Sequence, residues 1–87
     1  FSVGGGSLEK NVSLNLISAI KEAKAKQLKI FSLVGKGDGY AANNSNISIV
    51  IPVQDKALIT PMSEAFQAVI WHCIVSHPSL ALNSTKW

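Results

Sequence analysis

From Asn11 to Leu28 apolar side chains return at helical intervals. Leu16, Ile20 and Ala23, flanked by Ile17 and Ala19, fall on one side, and Lys21, Glu22, Lys24 and Lys26 fall mainly on the other. This spacing predicts an amphipathic helix with one buried face, opened by a side-chain cap from Ser13 or Asn11. After Gln27-Leu28 the period changes. Lys29 to Val34 is rich in β-formers and nearly continuous in hydrophobicity, as expected of a strand covered on both faces in a parallel sheet. Tyr40 to Asn44 reads as a short helix that runs into the loop signal Asn43-Asn44-Ser45-Asn46. Ile47 to Val53 is a second β-branched strand, closed by Pro52, which has no N–H for a sheet ladder. Gln54–Ile59 connects it to the last helix. Thr60-Pro61 suits a helix start, and Met62, Ala65, Phe66, Val69, Ile70, Cys73 and Ile74 form a broad apolar face expected to be buried. His77-Pro78 ends that helix, and Ser79 to Trp87 carries no structural signal.

The first seven residues, Phe-Ser-Val-Gly-Gly-Gly-Ser, precede all of these elements. Phe1 and Val3 resemble the end of a buried strand, so the order becomes strand, glycine loop, helix. In that order main-chain N–H groups and the positive end of the next helix can converge on an anion such as phosphate. Triple glycine is also common as a plain flexible turn, and the residues leave both readings open. Strand–helix units with uniformly hydrophobic strands indicate an α/β fold, a doubly wound parallel sheet whose glycine loop lies at the carboxyl ends of the strands.

Composition narrows the functional classes. Eighty-seven residues make one small domain, and 47% hydrophobic against 15% charged residues describes a packed interior. The chain opens without Met inside a strand-like stretch, which leads us to expect one part of a larger fold. The net charge of +3 comes from eight lysines and no arginine, many of them on one helix, so no nucleic-acid partner is expected. The single cysteine, Cys73, excludes an internal disulfide framework and fits a reducing cytoplasm. No uninterrupted apolar run reaches ~18 residues, so no membrane span is expected.

Few residues carry chemistry. Gly35-Lys36-Gly37-Asp38-Gly39 follows a strand, but its third glycine comes too early for a dinucleotide fingerprint, and it reads as a strand-to-helix turn. Lys56 can touch an anionic ligand or simply be solvated. Glu64, Gln67 and His72 interrupt the apolar last helix and, if buried, need partners. Glu64 and His72 can be an acid, base or metal ligand, or a first-turn carboxylate and a satisfied core histidine. Eight residues separate them, ~12 Å along a helix.

The ordered set Phe1–Ser7, Leu33–Gly39, Ile51-Pro52 and Glu64–His72 resembles the carboxyl-terminal half of a sugar isomerase (SIS) domain, with the phosphoheptose isomerase family nearest. The resemblance covers residues 1–78 and leaves 79–87 as a tail. It implies a flavodoxin-like, three-layer α/β/α fold. It also implies interconversion of sedoheptulose 7-phosphate and glycero-manno-heptose 7-phosphate through an enediol in the cytoplasm, feeding heptose synthesis. The family's Ser-x-Ser-Gly-Asn-Ser phosphate loop falls on Ser2, Val3, Gly4, Gly5, Gly6 and Ser7, with glycine replacing the middle serine and the asparagine. Its helical glutamine and histidine, which serve metal binding and proton transfer, fall on Glu64 and His72. The resemblance further implies zinc, a phosphorylated sugar, a complementary amino-terminal half and a homotetramer. With its loop altered, the chain also fits a regulatory phosphosugar-binding module.

Overall fold

The computed structural model describes residues 1–83. It is mixed α/β: α1 (Leu14–Ala25), β1 (Phe31–Val34), α2 (Tyr40–Asn44), β2 (Ile47–Val50), a 3₁₀ turn (Lys56–Leu58) and α3 (Ile59–Ser76). The expected tail lies partly on residues 84–87, outside the described residues.

Strands β1 and β2 pair in parallel, with Phe31 opposite Ile47 and Val34 opposite Val50. The pairing follows from two β-rich runs joined through a helix, and it is pinned by polar groups at one end. Asn46 Oδ1 accepts from the Ile30 N–H at 2.7 Å, while Ser32 Oγ donates to Ser48 Oγ at 2.8 Å across the ladder. On the other side of β1, Ser2 forms a parallel bridge with Val34, its N–H bonding Leu33 O at 3.0 Å. The strand-like start of the chain is therefore a third parallel position beside a two-stranded sheet.

Ile20 of α1, Val34 of β1 and Ala41 of α2 form the centre of the core, with Leu16, Ile30, Tyr40 and Ala42 packed around them. Helices α1 and α2 touch each other, whereas α3 meets β1 and the 3₁₀ turn and neither of the other helices. The helices thus flank the strands from two sides, as expected of a layered α/β arrangement.

Several boundaries differ from those the sequence predicts, each for a local reason. Helix α1 begins at Leu14 rather than Asn11, because Ser7 and Val12 form an antiparallel bridge that holds Leu8–Asn11 in a turn. Ser13 occupies the cap position at φ 51° and makes no side-chain cap bond. Gln27, at φ 57°, closes α1. Strand β2 stops at Val50, although Ile51 N–H still bonds Val34 O at 2.8 Å, because Pro52 cannot continue the ladder. Helix α3 starts one residue before Thr60, continuing from a 3₁₀ turn whose Ala57 N–H is capped by Asp55 Oδ1 at 2.9 Å. Thr60 and Pro61 therefore sit inside its first turn.

The larger correction concerns which side of α3 is buried. Ser63 is fully buried, and Gln67 and Ile70 are half-buried, whereas Met62, Phe66, Val69, Cys73 and Ile74 face solvent. The small and polar side, not the apolar one, packs on the strands. By length and composition alone, Lys56–Ser76 is apolar enough to cross a membrane, and 6% of that window is buried.

Candidate functional site

Three chain segments meet at the carboxyl ends of the parallel positions. The first is the loop after Ser2. Gly5 and Gly6 adopt φ of 72° and 79°, a region that side chains with a Cβ rarely enter. This turn aims their carbonyls at the start of α2, where they accept from Ala41 N–H at 2.8 Å and Tyr40 N–H at 2.9 Å. The loop therefore caps α2, not the helix that follows it in sequence. Gly39 makes the contact possible, since a Cβ there would collide with Gly4 O.

The serine hydroxyls brace the same loop. Ser2 Oγ accepts from Gly5 N–H at 3.0 Å, and Ser7 Oγ accepts from Lys10 N–H at 3.2 Å. Ser7 also belongs to the Ser7–Val12 bridge. Among the described residues the N–H groups of Val3, Gly4 and Gly6 have no hydrogen-bond partner. A Cβ built on Gly4 would meet nothing within 4 Å, so its backbone borders open space.

The second and third segments are the turn after β1 and the start of α3. Together with Val3 and Gly4 they enclose an open cleft of about 700 Å³, reached by Lys36, Gly37 and Asp38 on one side and Lys56 and Thr60 on the other. Backbone bonds tie the first two segments together: Gly35 N–H reaches Val3 O at 2.9 Å and Ser2 O at 3.3 Å. The carboxyl edge of a parallel sheet is where open α/β folds bind ligands. A different cleft, about 400 Å³ and bordered by Lys24 and Asn43–Asn46, lies toward the opposite end of the strands.

Gln67 is the polar group of α3 that has found partners. Its amide nitrogen donates to Ser2 O at 3.0 Å and Leu33 O at 3.1 Å, clipping α3 to both adjacent parallel segments. Glu64 and His72 are exposed, neither borders the cleft, and the His72 ring leans on Trp71 with centroids 4.4 Å apart. Of the residues singled out in the sequence, the structure brings Val3 and Gly4 to the cleft and Ser2, Gly5, Gly6 and Ser7 to its supporting loop. It does not bring Glu64 and His72 together. Among the described residues no group of three His, Cys, Asp or Glu side chains is close enough to hold a metal. Glu64 and His72 alone, two exposed groups separated by eight residues of helix, do not fit a zinc centre within this chain. Lys36 and Lys56 belong to the cleft together. The sequence gives a signal for this only once both flanking strands are recognised as parallel, because that puts the two lysines at the same edge.

A mixed α/β fold with a glycine loop at the carboxyl edge of parallel strands defines the class. Over 40 residues the chain is 48% identical to phosphoheptose isomerases from three strains of Buchnera aphidicola subsp. Acyrthosiphon pisum, Tuc7, 5A and APS. The match takes in 46% of this chain and about a fifth, 21%, of the relatives' length. No family model and no solved structure matches.

Proposed function

We propose that this chain supplies the phosphosugar-binding part of an aldose–ketose isomerase, one that interconverts sedoheptulose 7-phosphate and glycero-manno-heptose 7-phosphate. The observation that carries the reading is the glycine loop at the carboxyl edge of the strands, with the Val3 and Gly4 N–H groups unpaired beside an open cleft. The 40-residue likeness to phosphoheptose isomerases supports the choice of substrate.

In such a reaction a base removes the proton from the carbon next to the carbonyl, and an enediol forms. The proton then returns to the neighbouring carbon, so that aldehyde and ketone exchange places. The cleft's part is to hold the phosphate end and fix the reacting carbons relative to the acid and base. His72 is the group we assign to proton transfer, with Glu64 as a second acid or base. Because they project from α3 about two turns apart, one chain offers only one of them to a given substrate, and the rest of the site comes from another segment or subunit. An assembly of several copies, the homotetramer of the family, would meet that need and cover the apolar side of α3.

The position of Glu64 and His72 outside the cleft favours a second reading, a phosphosugar-binding module that moves no proton. Isomerase turnover of sedoheptulose 7-phosphate by the full-length protein separates the two. On the isomerase reading His72→Ala lowers kcat by ~100-fold or more, as expected for an acid–base group, with little change in phosphosugar affinity. Binding without turnover in the unaltered protein would establish the module.

A further inference from the structure

We propose that Lys36 and Lys56 form a cationic clamp across the cleft for the dianionic phosphate of a phosphomonoester, an inference that rests on the phosphosugar reading above. The two lysines come from different connections, one after β1 and one at the 3₁₀ turn before α3, yet both border the same cleft as Val3 and Gly4. Neither is paired. The ion pair among the described residues is Lys26 with Glu22 at 3.2 Å, on α1.

The neighbouring carboxylates leave the clamp positive. Asp55, next to Lys56, accepts the Ala57 N–H and does not border the cleft. Asp38 borders the cleft, so the balance is two ammonium groups against one carboxylate. Glu64 does not border it. Unpaired N–H groups on Val3 and Gly4 supply directional donors that a cation lacks, and Gly4 has no side chain to obstruct them. Oriented amides plus mobile ammonium groups form a recurrent solution for phosphate, which carries three acceptor oxygens and nearly two charges. Charge from the lysines thereby replaces the hydroxyl donors that a more serine-rich loop would bring. Asp38 is left to accept from hydroxyls of the same ligand, which selects a phosphorylated polyol over a bare anion.

The test is calorimetric titration of the full-length protein with inorganic phosphate, sedoheptulose 7-phosphate and unphosphorylated sedoheptulose, at low and high salt. Lys36→Gln and Lys56→Gln are each expected to weaken both phosphorylated ligands by about five-fold. Lys→Arg at the same positions should retain binding, and Asp38→Asn should tighten inorganic phosphate while weakening the sugar's contribution. The lysines are exposed, so folding is unaffected, which thermal unfolding verifies. Sedoheptulose 7-phosphate that binds equally well to the unaltered protein and both Gln variants overturns the clamp and leaves the phosphosugar reading standing. Lysine-dependent binding of inorganic phosphate with no gain from the sugar keeps the clamp and overturns the sugar assignment. No binding of either phosphorylated ligand to the unaltered protein overturns both.

Discussion

Gly35 packs directly against Ser63, with no room for a side chain between them. A Cβ on Gly35 would strike Ser63 Oγ and lie 3.1 Å from Val3 O. Because Val3 O is also the acceptor that ties β1 to the glycine loop, the neighbour on that side cannot yield. Gly35→Ala is therefore expected to destabilise the protein by about 1–3 kcal/mol, the range for overpacked sites, read from chemical denaturation. Ser63 itself is wholly buried with no partner for its hydroxyl among the described residues. A buried donor without a partner carries a desolvation penalty of about 1–3 kcal/mol. Ser63→Ala should consequently leave stability unchanged or raise it, and a loss above ~1 kcal/mol would show that the hydroxyl has a partner.

Helix α3 illustrates what the sequence reveals about an element and what it conceals. Its existence, its end at His77 and its broad apolar face are plain from periodicity. Its orientation is not, because hydrophobic patterning assigns the apolar side to the nearest core. Here the docked side is Ser63, Gln67 and Ile70, chosen because small and hydrogen-bonding groups fit against Gly35 and the carbonyls of Ser2 and Leu33. The parallel strands and the short α2 were legible for the opposite reason, since local β-propensity and turn chemistry agree with the fold. The glycine loop was legible as a loop. That its carbonyls would cap α2 was not, since the partner N–H groups lie 34 and 36 residues away in Tyr40 and Ala41. Removing the Gln67 clip tests its weight. Gln67→Ala is expected to cost about 1–2 kcal/mol, the net worth of two hydrogen bonds, because the Leu33 and Ser2 carbonyls keep their bonds from Ser2 N–H and Gly35 N–H. Gln67→Glu should cost more at neutral pH, because it sets a carboxylate against two carbonyl oxygens. Equal stabilities of the two variants would contradict the assigned bonds.

The molecule as a whole is broad and thin, with extents of 46, 37 and 17 Å and a radius of gyration of 14.4 Å, above the roughly 12 Å of a compact chain this long. Among the described residues six hydrophobic ones are buried, against a much larger exposed set that includes Phe31 and Ile47 on the sheet and Phe66, Val69 and Trp71 on α3. Apolar side chains exposed in this number suit an interaction face, in agreement with the proposal that other copies or segments complete the protein. In the full-length protein, Phe66→Lys with Val69→Lys should lower the oligomeric mass measured by light scattering while the secondary structure persists. An unchanged mass would mean that this face is covered from within one chain.

On the function proposed above, phosphosugar binds at the carboxyl edge of the strands, between the glycine loop and the turns bearing Lys36 and Lys56. Amide chemical-shift mapping of the full-length protein during titration with sedoheptulose 7-phosphate tests it most directly. The largest shifts are expected at Val3, Gly4 and Gly37, with unphosphorylated sedoheptulose producing much weaker ones. Shifts centred on Asn43–Asn46, at the far end of the strands, or none at Val3 and Gly4 at saturating ligand, would contradict it.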